Sequence, residues 1–118
     1  MGRLSTHVLD AANGKPARGV PIELHRIDAS GHRALVVRTT TNSDGRTDAP
    51  LLADGAFLTG AYEIIFDIGD YFRGTGLIPA GPAFLETVPV RFQMTDPDGS
   101  YHVPLVCSPW AYSTYRGS

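Results

Sequence analysis

Two histidines stand in runs that read as half-buried β-strands: His7 in Leu4-Ser5-Thr6-His7-Val8-Leu9 and His102 in Tyr101-His102-Val103-Pro104-Leu105. Successive side chains of a strand point to opposite faces, so each imidazole is turned away from the valine beside it, and both can face one cleft. A neutral imidazole held there can take a proton from water. Two arginines extend this chemistry. Arg46 follows the tight Asp44-Gly45 turn and Arg116 ends the last strand-like segment, and a planar guanidinium suits a ring carbonyl or an oxyanion. Each of these residues also has an ordinary reading, as an isolated polar position on a wet strand face or as a solvated loop residue, and residue type alone does not separate the two.

Other chemistries find less support. A serine or cysteine nucleophile needs an adjacent base, yet Ser118 is the last residue, Cys107 runs into Ser108-Pro109, and there is no G-x-S-x-G elbow. A zinc site would need further ligands at suitable spacing, and neither H-x-H, H-E-x-x-H nor C-x-x-C occurs. Asp96, Asp98 and Gly99 lack the remaining positions of a calcium loop. No metal is expected. His25, inside an alternating strand, and His32, beside the Ser30-Gly31 turn, read as surface residues.

The elements that must position these groups are short and β-rich. Thirteen Gly and nine Pro punctuate segments read as strands at about Leu4–Asp10, Val20–Asp28, Leu35–Asn42, Gly60–Asp67, Glu86–Gln93, Tyr101–Ser108 and Ala111–Arg116. Asn13-Gly14, Ser30-Gly31, Asp44-Gly45 and Asp98-Gly99 supply turns. Ile68, Tyr71 and Phe72 fall at helical spacing and predict one short helix over about Asp67–Thr75. The fold class is therefore all-β, a sandwich or barrel with one short helix, formed as a single domain over residues 1–118. A small sandwich leaves edge strands that need covering, and the last segment, with Tyr112 and Tyr115 and few charges, favours oligomerisation.

Composition narrows the function. With 42% hydrophobic and 19% charged residues, the chain can bury a core, and a formal charge of −2 provides no basic footprint for nucleic acid. Only Lys15 is a lysine among ten basic residues, and the lone cysteine rules out an intrachain disulfide. No apolar run is long enough to span a bilayer and no leader-like segment opens the chain, so no membrane partner and a cytoplasmic location are expected.

Taken together, four segments resemble the signature of the 5-hydroxyisourate hydrolases, the enzymatic branch of the transthyretin family. They are Leu4 to Asp10; Gly14-Lys15-Pro16-Ala17 leading into Gly19-Val20; Thr41-Asn42 with Asp44-Gly45-Arg46; and Tyr101 to Leu105 running on to Ser108-Pro109. The chain then closes with Tyr112-Ser113-Thr114-Tyr115-Arg116-Gly117-Ser118, and the terminal Tyr-Arg-Gly-Ser is similar to that of the hydrolase branch in particular. The resemblance runs end to end and implies a transthyretin-like, all-β sandwich of two antiparallel sheets with one short helix, which opens 5-hydroxyisourate to 2-oxo-4-hydroxy-4-carboxy-5-ureidoimidazoline without a cofactor. It places His7, Arg46, His102 and Ser118 in catalytic roles, and Tyr115, Arg116 and Gly117 against the small-molecule substrate. It further implies a homotetramer whose active sites form where subunits meet. The alternative is a transthyretin-like carrier of a small aromatic ligand, which needs no turnover.

Overall fold

The structure is a computed structural model describing residues 1–118. Nine strands, a short 3-10 turn and one helix follow one another: β1 (Arg3–Asp10), β2 (Lys15–Pro16), β3 (Pro21–Ile27), β4 (Arg33–Thr40), β5 (Leu52–Ala53), the turn Asp54–Ala56, β6 (Gly60–Asp67), α1 (Ile68–Thr75), β7 (Thr87–Met94), β8 (Ser100–Cys107) and β9 (Tyr112–Thr114). They form two sheets. The first runs β2-β1-β8-β9, with β5 also pairing to β1, and the second runs β4-β3-β6-β7.

Alternation builds the sandwich. In β1, Leu4, Thr6, Val8 and Asp10 are buried while Ser5, His7 and Leu9 are half-buried, so a single strand supplies both core and outer face. Facing residues from β3, β6, β7 and β8 complete a core of 22 buried side chains that includes Ile22, Leu24, Ile64, Phe66, Val88 and Leu105. Helix α1 closes one end. Asp67 caps its N-terminus by accepting from Asp70 N at 3.2 Å, Gly76 ends it at φ 78°, and Ile68, Tyr71 and Phe72 are buried against the sandwich. Each such apolar side chain contributes roughly 1.5–3 kcal/mol by leaving water. The Tyr71 hydroxyl donates to buried Asp10 Oδ2 at 2.7 Å, and Asn13 Nδ2 donates to the same oxygen at 2.7 Å, so the helix, β1 and the turn after it share one anchor.

The sandwich, the strand positions and the short helix match expectation, with differences that have physical causes. The pair β1–β8 is parallel, Ser5 facing His102 and His7 facing Pro104, so the first sheet is not wholly antiparallel. Strands β2 and β5 are two residues each, too short to carry a period. The last strand stops at Thr114, and beyond it the chain returns to β8 by one isolated bridge, Gly117 to His102, instead of continuing as strand to Arg116. Of the two histidines expected at the surface, His32 is 86% exposed, whereas the His25 side chain is only 14% exposed and hydrogen-bonded through Nε2 to Glu23. His25 sits mid-strand in β3, flanked by Glu63 and Leu35 on the neighbouring strands, and those neighbours cover it.

Candidate active site

The parallel β1–β8 register builds the site. It sets His7 and His102 on the outer face of the first sheet, two positions apart on adjacent strands. Because Val8, Val103 and Leu105 anchor the inner face, a one-residue slip would bury the imidazoles and expose the valines, so the core itself fixes which way the histidines point.

A loop fills the free edge of β1 between its short partners. Val8 N donates to Gly45 O at 2.7 Å, and His7 Nε2 lies 2.8 Å from Asp44 O. A carbonyl only accepts, so neutral His7 carries its proton on Nε2 and keeps its lone pair on Nδ1. The loop is shaped by Asn42, whose Oδ1 accepts from Asp44 N at 2.9 Å and Arg46 N at 3.2 Å. Gly45 is required twice over: its φ is 74°, and a Cβ there would stand 2.4 Å from Val8 O. Buried Thr41 ties the loop's start down, donating to Ala17 O and accepting from Val20 N. The result is an Arg46 whose charge reaches both imidazoles.

The C-terminal tail closes the other side. Thr114 Oγ1 donates to Pro104 O at 2.8 Å and Gly117 N to His102 O at 2.8 Å, so the tail runs back along β8 to the second histidine. A Cβ on Gly117 would lie 2.6 Å from His102 Cδ2, which makes the bare glycine the reason the tail can lie flat on the ring. On its opposite side, His102 Nδ1 meets the Ser5 hydroxyl at 2.8 Å.

Electrostatics favours neutral rings. Partial burial, then the Arg46 guanidinium, hold His7 below its usual value near 6.5, and the Asp44 carbonyl and carboxylate oppose this without reversing it. His102 is lowered by burial, by Arg46 and by His7 in turn. Both rings are thus poised as bases near neutral pH.

Not every expected site residue joins this cluster. His7, Arg46, His102 and Gly117 converge, whereas the Arg116 guanidinium lies over the Tyr101 ring, 4.3 Å from its centroid, with Nη2 donating to Ser100 O at 3.3 Å. Arg116 therefore does not act on the imidazoles within the protomer. Its neighbour Tyr115 is 58% exposed, and Ser118 follows Gly117 at the exposed end of the tail. The tail residues 114–116 and Arg91, Phe92 and Val103 border a separate cavity of about 330 Å³ between β7 and β9. Sequence reasoning passed over Ser5, Asn42 and the Asp44 carbonyl. Ser5 shares the parity of His7, but its partner lies 97 residues away and only the register of the sheet reveals it. No three His, Cys, Asp or Glu side chains gather as a metal cage.

Similarity to known proteins points the same way as this geometry. The family model described as HIUase/Transthyretin matches residues 4–117. The chain is 55% identical over 117 residues to "5-hydroxyisourate hydrolase 2" of Rhizobium meliloti (strain 1021), covering 99% of this chain and 97% of that one. Among solved structures, one of (S)-allantoin synthase superposes with a TM-score of 0.91 at 47% identity, over 99% of this chain and 44% of that longer one. The 5-hydroxyisourate hydrolase of Klebsiella pneumoniae superposes with a TM-score of 0.81 at 30% identity, over the whole of both chains.

Proposed function

The chain belongs to the HIUase/Transthyretin family, and from that membership we infer that it is a hydrolase that opens 5-hydroxyisourate, a small-molecule substrate of urate breakdown. The observation that carries this reading is the meeting of two half-buried imidazoles and Arg46 on one sheet face, with no ion pair to neutralise the guanidinium.

The substrate is a flat bicyclic ureide. Opening it requires water to add at a ring carbonyl and the adjacent carbon–nitrogen bond to break. In our reading a neutral imidazole, His7 through Nδ1 or His102 through Nε2, takes a proton from the attacking water and returns it to the leaving ring nitrogen. Arg46 stabilises the oxyanion between those steps, an effect worth roughly 3–4 kcal/mol for one well-placed donor. Gly117 lets the tail approach the ring edge, and Ser118 brings a hydroxyl to the same rim to orient the substrate. Tyr115 borders the cavity between β7 and β9 and, like Arg116, would meet the substrate across a subunit boundary. Arg116, being stacked on Tyr101, reaches the substrate only across a subunit boundary or by leaving that ring.

We read the assembly as a homotetramer in which a neighbouring subunit roofs this open face, since Trp110, Tyr112 and Tyr115 expose 64%, 45% and 58% of their surface on and beside β9. The direct test generates hydroxyisourate in place from urate and an oxidase and follows its disappearance. Accelerated decay is expected. A carrier of a small aromatic ligand would leave the spontaneous rate as it is, and that result would overturn the hydrolase reading.

A further inference from the structure

The two imidazoles are held by partners of different kinds. His7 is tied through Nε2 to a backbone carbonyl, which accepts and cannot donate. His102 is tied through Nδ1 to the Ser5 hydroxyl at 2.8 Å, and a hydroxyl does both. Ser5 and His102 are direct partners in the β1–β8 register, so the bond spans a single strand spacing and needs no long flexible side chain. On the other flank of the ring, Gly117 lies so close that even a Cβ would collide. The ring is therefore pinched between a hydroxyl and a backbone, and Nε2 is the nitrogen left for water or substrate.

We propose that Ser5 is a positioning residue of the hydrolytic site, holding His102 by Nδ1 so that Nε2 meets the reacting water through the whole proton cycle. This rests on the hydrolase reading. With Nε2 carrying the lone pair, Nδ1–H donates to Ser5 Oγ. Uptake of a proton at Nε2 gives the imidazolium with that same bond intact, and return of the proton to the leaving ring nitrogen restores the starting state. The ring need not turn at any stage. Were a carbonyl in place of Ser5, the bond would likewise hold both of these states but would exclude the tautomer with Nε2–H; the hydroxyl admits that tautomer too, by donating to Nδ1. His102 can thus begin a turnover as acceptor or as donor without leaving its place, whereas neutral His7 is fixed in one tautomer.

Ser5→Ala and Ser5→Thr test this in the full chain, with ¹⁵N spectra of the histidine rings as the second readout. Ser5→Ala is expected to lower kcat by about 10- to 100-fold with KM held within about twofold, the usual range for removing a partner that orients a working group. Ser5→Thr, which keeps the hydroxyl, should recover most of the rate. In the ¹⁵N spectra the His102 signals should move in Ser5→Ala and stay near the parent in Ser5→Thr, while those of His7 hold still. Wild-type kcat and unmoved His102 signals in Ser5→Ala would overturn the proposal, as would equal loss in both variants with the His102 spectrum unchanged. Should the parent protein fail to accelerate hydroxyisourate decay, the hydrolase reading falls, and the ¹⁵N comparison still decides whether Ser5 holds the ring.

Discussion

The outer faces of the two sheets are built from the same residue types and do opposite things with them. On the second sheet, Glu63, with only 7% of its side chain exposed, sits between Arg33 at 2.5 Å and Arg91 at 3.5 Å. Beside it, Glu23 receives His25 Nε2 at 2.9 Å and Arg38 at 3.0 Å, and those bonds hold its carboxyl below the ordinary range. On the first sheet, His7, His102 and Arg46 meet with no carboxylate within ion-pair distance, and burial and the guanidinium push both rings toward the neutral form. A histidine and an arginine that each find an acid make a scaffold. The same pair without one makes a base beside an oxyanion site.

The comparison breaks most sharply at the histidines. His102→Asn or His7→Asn is expected to lower kcat/KM by about 10²- to 10⁴-fold with the melting temperature nearly unchanged, since neither ring is part of the core. The equivalent His25→Asn should leave turnover within about twofold. A fall in melting temperature that matches the lost rate at His102 would make it a structural residue like His25, and the contrast between the faces would disappear.

Arg46 and Arg38 form the next pair. Arg46→Gln removes a donor and a positive charge, and a loss of roughly 10²-fold in kcat is expected. The charge also has a signature in pH. Without the guanidinium both rings bind protons more readily, so the acid limb of the kcat/KM profile should move to higher pH. Arg38→Gln, on the acid-compensated face, should move neither quantity. An unshifted acid limb in Arg46→Gln would show that burial alone sets the rings.

A smaller effect separates the faces by stability. Glu63→Gln strips the second sheet of the acid between two arginines, both about half exposed, so they can regain water and the cost stays near 1 kcal/mol. Turnover should hold. A Glu63→Gln protein slowed several-fold in kcat, at a temperature where it is fully folded, would mean that the second sheet takes part in the reaction.

Much of this contrast was legible in the chain, and the illegible part has a common cause. Alternation in Leu4–Leu9 and Tyr101–Leu105 revealed the strands and the outward histidines, because a half-buried strand writes its two faces into sequence with period two. The helix announced itself through Ile68, Tyr71 and Phe72. What could not be read were relations across distance. Ser5 beside His102, Arg33 beside Glu63 and the stacking of Arg116 on Tyr101 depend on register, and neither side of such a pair carries a mark of the other. His25 illustrates this. Its alternation looked like that of His7, and only Leu35 of β4 and Glu63 of β6, brought alongside by the sheet, make it a covered residue, while the acid it pairs with is Glu23 of its own strand.

The finest test of the two faces lies in how stability follows pH. His7 and His102 have folded pKa values depressed below 6.5, so the unfolded chain binds more protons than the folded one once pH drops past 6.5. Their contribution is full above that value and is lost as pH falls through the folded values. The depressed acids act in a separate window: for Asp10, burial pushes the carboxyl up but the bonds from Asn13 and Tyr71 outweigh it, and for Glu23 the bonds from His25 and Arg38 pull it down. Their contributions are present above about 4 to 4.5 and decline only below that, nearer the folded values. A melting-temperature series from pH 7.5 to 5 should therefore read the first sheet's imidazoles apart from these acids, falling by a few °C at most in the parent. The double variant His7→Asn, His102→Asn should be flatter across that range. Parallel curves throughout would mean that the two rings take up protons equally well folded and unfolded, and that the face without acids is no better a site for a neutral imidazole than open water.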